Sequence, residues 1–476
     1  MKAARFCLAA SILVSPAPAR GFGFGSAPPK CTRPEAHASV CSRARTARSS
    51  ATRTSPRMGQ WKDGDIFWAK NLRLGMKYTR LGSSDLVVSH ASLGTMTWGQ
   101  QNTDEEAAEQ LNVAFDEFGV NLVDTAEIYP APPQAATQGA TDRAIGKWLK
   151  TRKREDVILA SKVAGRSSMG YLRDGGGETR VLKDQVVESV DKTLKRLGTD
   201  YLDLLQVHWP DRYVPLFGGN YYDASKERDD VISMEEQLRA LDAVVKSGKV
   251  RYIGLSNETP FGVAKFVELA EREGLPRVVS VQNSYSLLCR ADTELSGLVE
   301  ACRPRHCDVG ILAYSPLAGG VLTGKYQDPR KLPEKARLQL FPGYMGRYRN
   351  SPSDQAVQRY TEVALSLGLT PAQMAMSWCY SQPFLASTIV GATSIEQLRE
   401  NLCAANCGLN EIAQQKILDI YMDHQDPTKV RRPAAAAAAA EAAAEEVIDD
   451  AAWDDDDDPT GISAEVAAAA AAAAAM

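Results

Sequence analysis

The chain has 476 residues, 24% of them charged, and a formal net charge of −4, spread so unevenly that its ends and its middle need separate accounts. Residues 1–60 carry eight Arg and two Lys against one acid, Glu35, while residues 433–476 carry eleven acids and no base. The roughly 370 residues between are near neutral, which argues against nucleic acid as their partner; no 18-residue apolar run is present to span a membrane, and the length suffices for one large core.

At the start, Lys2 and Arg5 precede the apolar run Phe6 to Val14, and SPAPAR follows, which is the shape of a short signal peptide. The next tract is rich in Ser, Thr and Arg, poor in acids, and ends RTARSSATRTSPRM, which is transit-peptide chemistry. A signal followed by a transit segment resembles the bipartite leaders of algae with secondary plastids. A plastid is the expected destination, with the mitochondrion or cytoplasm as alternatives. The fold reading therefore sets aside 1–60 as a leader.

The middle opens with MKYTRLGSSDLVVS, which reads as a hairpin able to plug the floor of a barrel. Eight short β-rich runs follow: HASLG (90–94), NLVDTA (121–126), VILASKV (157–163), YLDLLQVH (201–208), VRYIGLSN (250–257), SVQNSY (280–285), GILAYSP (310–316) and STIVGAT (387–393). Stretches such as DEEAAEQLNVAFDEF, DQVVESVDKTLKRL and SMEEQLRALDAVVKSG separate them, with apolar residues recurring at three and four, as a helix with one buried face requires. Thr103 with Glu106 predicts a capping box, and Gly198 and Gly248 follow predicted last turns. Strands alternating with helices imply a parallel sheet, and eight such units most simply close into a (β/α)8 TIM barrel, an α/β fold, over about residues 75–428. Two further helices are expected near 394–404 and 409–424, outside the barrel. After Arg432 the alanine-rich tail, with Asp454–Asp458, cannot bury a core.

Outside the leader the cysteines are Cys289, Cys302, Cys307, Cys379, Cys403 and Cys407, without the spacing of a disulfide framework. Cys302, His306 and Cys307 lack a second ligand pair at a matching distance, so no metal site is assigned.

Function in such a barrel lies on the loops at the carboxyl ends of the strands. There the second strand run carries Asp124, with Tyr129 five positions on; the third carries Lys162, the fourth His208 and Trp209, the fifth Ser256 and Asn257, the sixth Gln282, and the seventh Tyr314 and Ser315. Any one of these has an ordinary structural role. Together they bring an acid, a phenol, an ammonium and an imidazole to one rim. A lysine inside an apolar strand needs a partner, and Asp124 is the natural one. The Lys162 cation is expected to lower the Tyr129 pKa from about 10 and make it a proton donor, with His208 hydrogen-bonding a substrate oxygen. A pocket without an obvious nucleophile or metal needs an external hydride. An alternative is a Schiff base on Lys162.

These residues resemble the aldo-keto reductases over about residues 77–425. The stretches that carry the likeness are LGTMTWGQQNT, NLVDTAEIYP, ASKVAG, LKRLGTDYLDLLQVHWP, RYIGLSNET, QNSYSLL, AYSPLAGGVLTGKY and VGATSIEQLREN. The first stretch, with NLVDTAEIYPAPP and TQGATDRAIGKWL, is similar to the bacterial Tas-type branch. The potassium-channel β subunits form a related branch. The resemblance implies a catalytic tetrad of Asp124, Tyr129, Lys162 and His208, with Tyr129 as general acid, and an NADPH/NADP cofactor. Ser256, Asn257 and Gln282 would hold the nicotinamide carboxamide, and Tyr314 would stack on the ring. Ser315, Leu317 and Gly319 would line the pyrophosphate passage, with Lys325 and Arg337 near phosphates. Gly391, Thr393, Gln397 and Asn401 would grip the adenosine half. The implied partner is a small-molecule carbonyl substrate, not nucleic acid or membrane; the oligomeric state is left open. A cofactor-binding regulatory subunit is the alternative, and His208 weighs against it because the channel branch carries asparagine there. DRYVPLFGGNYYDASKERDD and FPGYMGRYR (341–349) read as loops over the pocket, and Trp98 and Trp209 as candidate apolar walls.

Overall fold

The computed structural model describes residues 76–429 except 216 and 220; the leader and the acidic tail lie outside the described residues. The hairpin is β1 (Tyr78–Arg80) and β2 (Val87–Ser89), paired antiparallel with Tyr78 opposite Ser89. Eight parallel strands then close a barrel: β3 (Ala91–Gly94), β4 (Leu122–Asp124), β5 (Ile158–Val163), β6 (Leu202–Val207), β7 (Val250–Ser256), β8 (Val278–Ser284), β9 (Gly310–Tyr314) and β10 (Leu385–Val390), with β10 returning to β3. All eight expected strands are present. β8 and β10 begin two residues earlier than expected, and β4 ends at Asp124, where the chain leaves the sheet for the rim.

The helices α1 (Asp104–Asn112), α2 (Ala140–Leu149), α3 (Lys183–Leu197), α4 (Met234–Lys246) and α5 (Pro260–Glu273) connect successive strands. Thr103 and Glu106 form the capping box on α1, and Gly198 ends α3 in the left-handed conformation at φ 64°. The expected run 104–118 is not uniform: past Asn112 it widens into a π turn over Val113–Glu117. Period-2 alternation divides the strands into two faces. Outward residues such as Val123, Leu159, Leu205, Ile253 and Ile311 pack with Leu111, Val190, Leu241 and Phe266 of the helices in the main core.

Inward residues Leu122, Ala160, Leu204, Val279 and Leu312 meet Leu81, Leu86 and Val88 of the hairpin in a second cluster, so the hairpin does plug the floor. Gly82 makes this contact possible: its φ is +53°, and a Cβ there would lie 2.2 Å from the Val279 carbonyl oxygen. The short helix α6 (Leu298–Cys302) lies between β8 and β9, and the long β9–β10 connection holds three helices that the sequence left unassigned: α7 (Arg337–Leu340), α8 (Ser351–Ser366) and α9 (Pro371–Tyr380). The two late helices are α10 (Ile395–Cys403) and α11 (Glu411–Asp423), as expected. No helix among the described residues is long and apolar enough to cross a membrane.

Candidate active site

Along three neighbouring strands the inward side chains change from apolar at the floor to polar at the rim: Leu122 then Asp124, Ile158 and Ala160 then Lys162, Leu204 and Gln206 then His208 just beyond β6. One alternation rule both fills the barrel and delivers the chemical groups to its mouth. Lys162 Nζ donates to Asp124 Oδ2 at 2.5 Å and to the Thr125 carbonyl oxygen at 3.0 Å. The other carboxylate oxygen, Asp124 Oδ1, accepts from Gln282 Nε2 at 2.8 Å and from Gln206 Nε2 at 3.4 Å. The Lys162 and Asp124 side chains are 0% and 3% exposed. Such burial lowers the lysine pKa, and the adjacent carboxylate opposes that fall. Lys162 is not among the residues that line the cavity, and its bond to Asp124 weighs against the Schiff-base alternative.

Above this pair lies Tyr129, on the loop after β4. Its ring centroid is 5.1 Å from Lys162 Nζ and 6.0 Å from the His208 ring, which meets it edge-on. The expected lowering of the Tyr129 pKa is not what the site produces. Burial first, and then the Asp124 charge, raise it well above the ordinary phenol value. Burial of the phenol outweighs the nearby Lys162 ammonium, which Asp124 engages at 2.5 Å. His208 moves the other way: burial and Lys162 push it well below the usual imidazole range, leaving it neutral. His208 Nδ1 is buried without a hydrogen-bond partner among the described residues. Unpaired buried acceptors are tolerated better than unpaired N–H donors, so the proton belongs on Nε2.

The Tyr129 loop is anchored by a network absent from the sequence reading. Glu127 accepts from the Ala164 backbone N–H at 2.6 Å, Ser189 Oγ at 2.7 Å, and Arg173 Nη1 and Nη2 at 2.8 and 3.0 Å. Both members of the Arg173–Glu127 pair are 2% exposed. Trp209 packs with Ala126, Ile128, Ala164, Leu172 and Tyr129 in an apolar wall, and its Nε1 donates to the Arg166 carbonyl oxygen. Trp98, by contrast, is no part of the wall: it is 0% exposed in the main core, donating to Gln110 Oε1. Its place in the LGTMTWGQQNT stretch, where Gly94, Thr95, Met96 and Gln101 do line the cavity, was misleading.

Asp124, Tyr129 and His208 line a cavity of about 430 Å³, and Lys162 lies beneath its floor. All thirteen residues expected around a dinucleotide line the same cavity: Ser256, Asn257 and Gln282; Tyr314, Ser315, Leu317 and Gly319; Lys325 and Arg337; Gly391, Thr393, Gln397 and Asn401. Asn257 sits at φ 53° and ties three strand ends together, donating to the His208 carbonyl oxygen and accepting from Tyr314 Oη at 2.6 Å. Gln397 Oε1 accepts from both the backbone N–H and the hydroxyl of Thr393. Lys325 and Arg337 stand close enough that the arginine charge adds to burial in lowering the lysine pKa, and neither has a carboxylate within ion-pair distance among the described residues. Two uncompensated cations, a cluster of amides and a flat phenol form a donor set that fits a pyrophosphate-linked nicotinamide dinucleotide. Gly391, around which a Cβ would meet nothing within 4 Å, leaves backbone open to it. The sequence reading missed Gln101, Lys335, Glu400 and Arg347, which also line the cavity. Lys335 is two positions from Arg337 and was findable; Glu400, on the same helix as Gln397, has no signature of its own.

The sequence pattern of the Aldo/keto reductase family matches residues 92–421. The Escherichia coli K12 protein called "Protein tas" is 42% identical over 356 residues, covering 74% of this chain and 99% of that protein. An aldo-keto reductase of Babesia bovis is 41% identical over 284 residues, or 58% and 99% of the two chains. A probable voltage-gated potassium channel subunit beta of Arabidopsis thaliana is 30% identical over 337 residues, or 70% and 92%. The chain belongs to the aldo-keto reductase family. It is an oxidoreductase of carbonyl compounds, in a family that generally uses nicotinamide cofactors.

Proposed function

We propose that this protein reduces aldehydes or ketones to alcohols with NADPH, using Tyr129 as the general acid. The observation that carries this reading is the stacking of three layers at the barrel mouth: the Lys162–Asp124 pair, the Tyr129 and His208 rings above it, and the cavity above them. NADPH supplies the hydride when bound. Ser256, Asn257 and Gln282 would hold the carboxamide, with Tyr314 against the ring. His208, neutral, donates a hydrogen bond from Nε2 to the carbonyl oxygen and polarises it. Tyr129 then passes its phenolic proton to that oxygen as the C=O π bond becomes an alcohol. A raised phenol pKa suits this direction, because the acid stays loaded at neutral pH and the forming alkoxide is a far stronger base than a phenolate. Lys162, with a third N–H left beyond its bonds to Asp124 and Thr125, stabilises the phenolate that remains.

Lys325 and Arg337 favour NADPH over NADH, because a 2′-phosphate would supply the anion they lack. The test is NADPH and NADH consumption with a panel of aldehydes and ketones. Turnover with NADPH supports the reading. Tight NADPH binding with almost no turnover across the panel would favour a regulatory subunit like the channel relatives. The leader at 1–60 would take the enzyme to a plastid; a fluorescent fusion of that segment that stays in the cytosol would contradict this.

A further inference from the structure

Arg347 lies on the loop that the sequence marked as FPGYMGRYR, and it lines the cavity together with its neighbours Tyr344 and Met345. Its only side-chain hydrogen bond among the described residues goes from Nη2 to Tyr348 Oη at 3.1 Å. A guanidinium has five N–H donors, so most of its capacity is uncommitted. Two rings hold it in place: its Cζ is 4.5 Å from the Tyr348 centroid and 5.6 Å from that of Phe217. No carboxylate lies within ion-pair distance of it among the described residues. Two acids line a small adjoining cavity with it, and both are engaged elsewhere: Asp292 by Lys429 Nζ at 2.5 Å and Glu258 by Arg212 Nη2 at 2.5 Å. This is an arginine positioned by aromatic faces and left without a counter-charge, the condition for receiving an anion.

Its surroundings differ from those of the cofactor cations, although all three line the main cavity. Lys325 and Arg337 influence each other electrostatically, and Arg337 reaches Gln101 Oε1 at 3.5 Å. Arg347 instead shares the adjoining cavity of about 100 Å³ with Phe217, Asn257 and Tyr314, at the end where the nicotinamide ring would lie. Phe217 comes from the long loop after β6, so two loops converge on this one cation.

We propose that Arg347 sets substrate class: it receives an oxyanion, carboxylate or phosphate, borne by the carbonyl compound that is reduced. The inference rests on the reductase reading above and names its substrates. A fork of N–H groups pairs with either anion through two parallel hydrogen bonds and would orient the other end of a short substrate toward Tyr129 and His208.

The experiment has two arms on the full chain. The first compares kcat/KM for matched pairs, succinic semialdehyde against butanal and glyceraldehyde 3-phosphate against glyceraldehyde, in wild type, Arg347→Met and Arg347→Lys. The wild type should favour the anionic member of at least one pair by roughly 10- to 100-fold, and Arg347→Met should lose that preference, with Arg347→Lys restoring part of it. Which pair responds distinguishes carboxylate from phosphate. The second arm measures succinate and inorganic phosphate binding to the NADP+-saturated protein by calorimetry, which needs no turnover. Anion binding that weakens by a similar factor in Arg347→Met supports the assignment. Equal preference for charged and neutral aldehydes in the wild type, anion affinity unchanged in Arg347→Met, or a matching loss of NADP+ affinity would each overturn it. If no carbonyl is reduced, the reductase reading falls by the first arm, while the second arm still decides whether Arg347 holds an anion.

Discussion

Two buried ion pairs lie at the same end of the barrel, separated by only two residues of chain between Asp124 and Glu127, and they are built in opposite ways. Glu127 has four hydrogen bonds, two of them from Arg173, and Arg173 adds a fifth tie through Nε to Gln185 Oε1 at 3.1 Å. Its charges are spent locally. Lys162 is bonded to Asp124 and to one carbonyl oxygen, which leaves one of its three N–H groups, and its Nζ lies 5.1 Å from the Tyr129 ring centroid. The comparison teaches that burial of charge has two uses here. A saturated pair fixes the loop that carries the tyrosine, and an incompletely saturated pair leaves electrostatic capacity for a charge that exists only during reaction.

The largest break in this comparison should come from Arg173→Leu. It strands the Glu127 carboxylate with two donors, and removing one partner of a buried pair costs about 3–5 kcal/mol. Denaturant unfolding should show a loss of that size, while the folded fraction keeps its chemical step; unchanged stability would mean the pair is not a fastener. Next comes Lys162→Met, which should slow single-turnover reduction by about 100-fold or more, with NADPH affinity changed much less. An equal loss of NADPH affinity and an unslowed chemical step would assign Lys162 to cofactor binding instead.

A subtler effect concerns pH. His208 is lowered, so it stays neutral as pH falls through the ordinary imidazole value of about 6.5; Tyr129 is raised, so it stays protonated as pH rises to about 10. The rate of the reductive step should therefore be flat between those values, and an alkaline limb near neutrality would show that Lys162 does depress the phenol. Smallest is Arg337→Ala, expected to weaken NADPH about tenfold more than NADH. An unchanged preference, measured as a ratio of dissociation constants, would take Arg337 away from the 2′-phosphate.

Much of this architecture was legible from residue order alone, because period-2 strands and capped amphipathic helices are local patterns. NLVDTA, ILASKV and LDLLQV each announce both a strand and the polar residue at its rim. The hairpin was legible for the same reason, though Gly82 against the Val279 carbonyl was not, since that contact joins distant segments. Trp98 misled because its neighbours in sequence line the cavity while its own ring points into the core. The Arg173–Glu127 pair spans 46 positions and has no periodic signal. The Tyr129 pKa was misread for a physical reason: sequence places Lys162 near the phenol but cannot show how deeply the phenol is buried or how near the Asp124 charge lies to it.

The proton's source is the point on which the mechanism stands, and Tyr129→Phe examines it directly. Single-turnover NADPH oxidation by the variant, with an aldehyde that the wild type reduces, should fall by at least about 100-fold while the NADPH dissociation constant stays within a few-fold of wild type. A variant that transfers hydride at the wild-type rate would place the acid elsewhere.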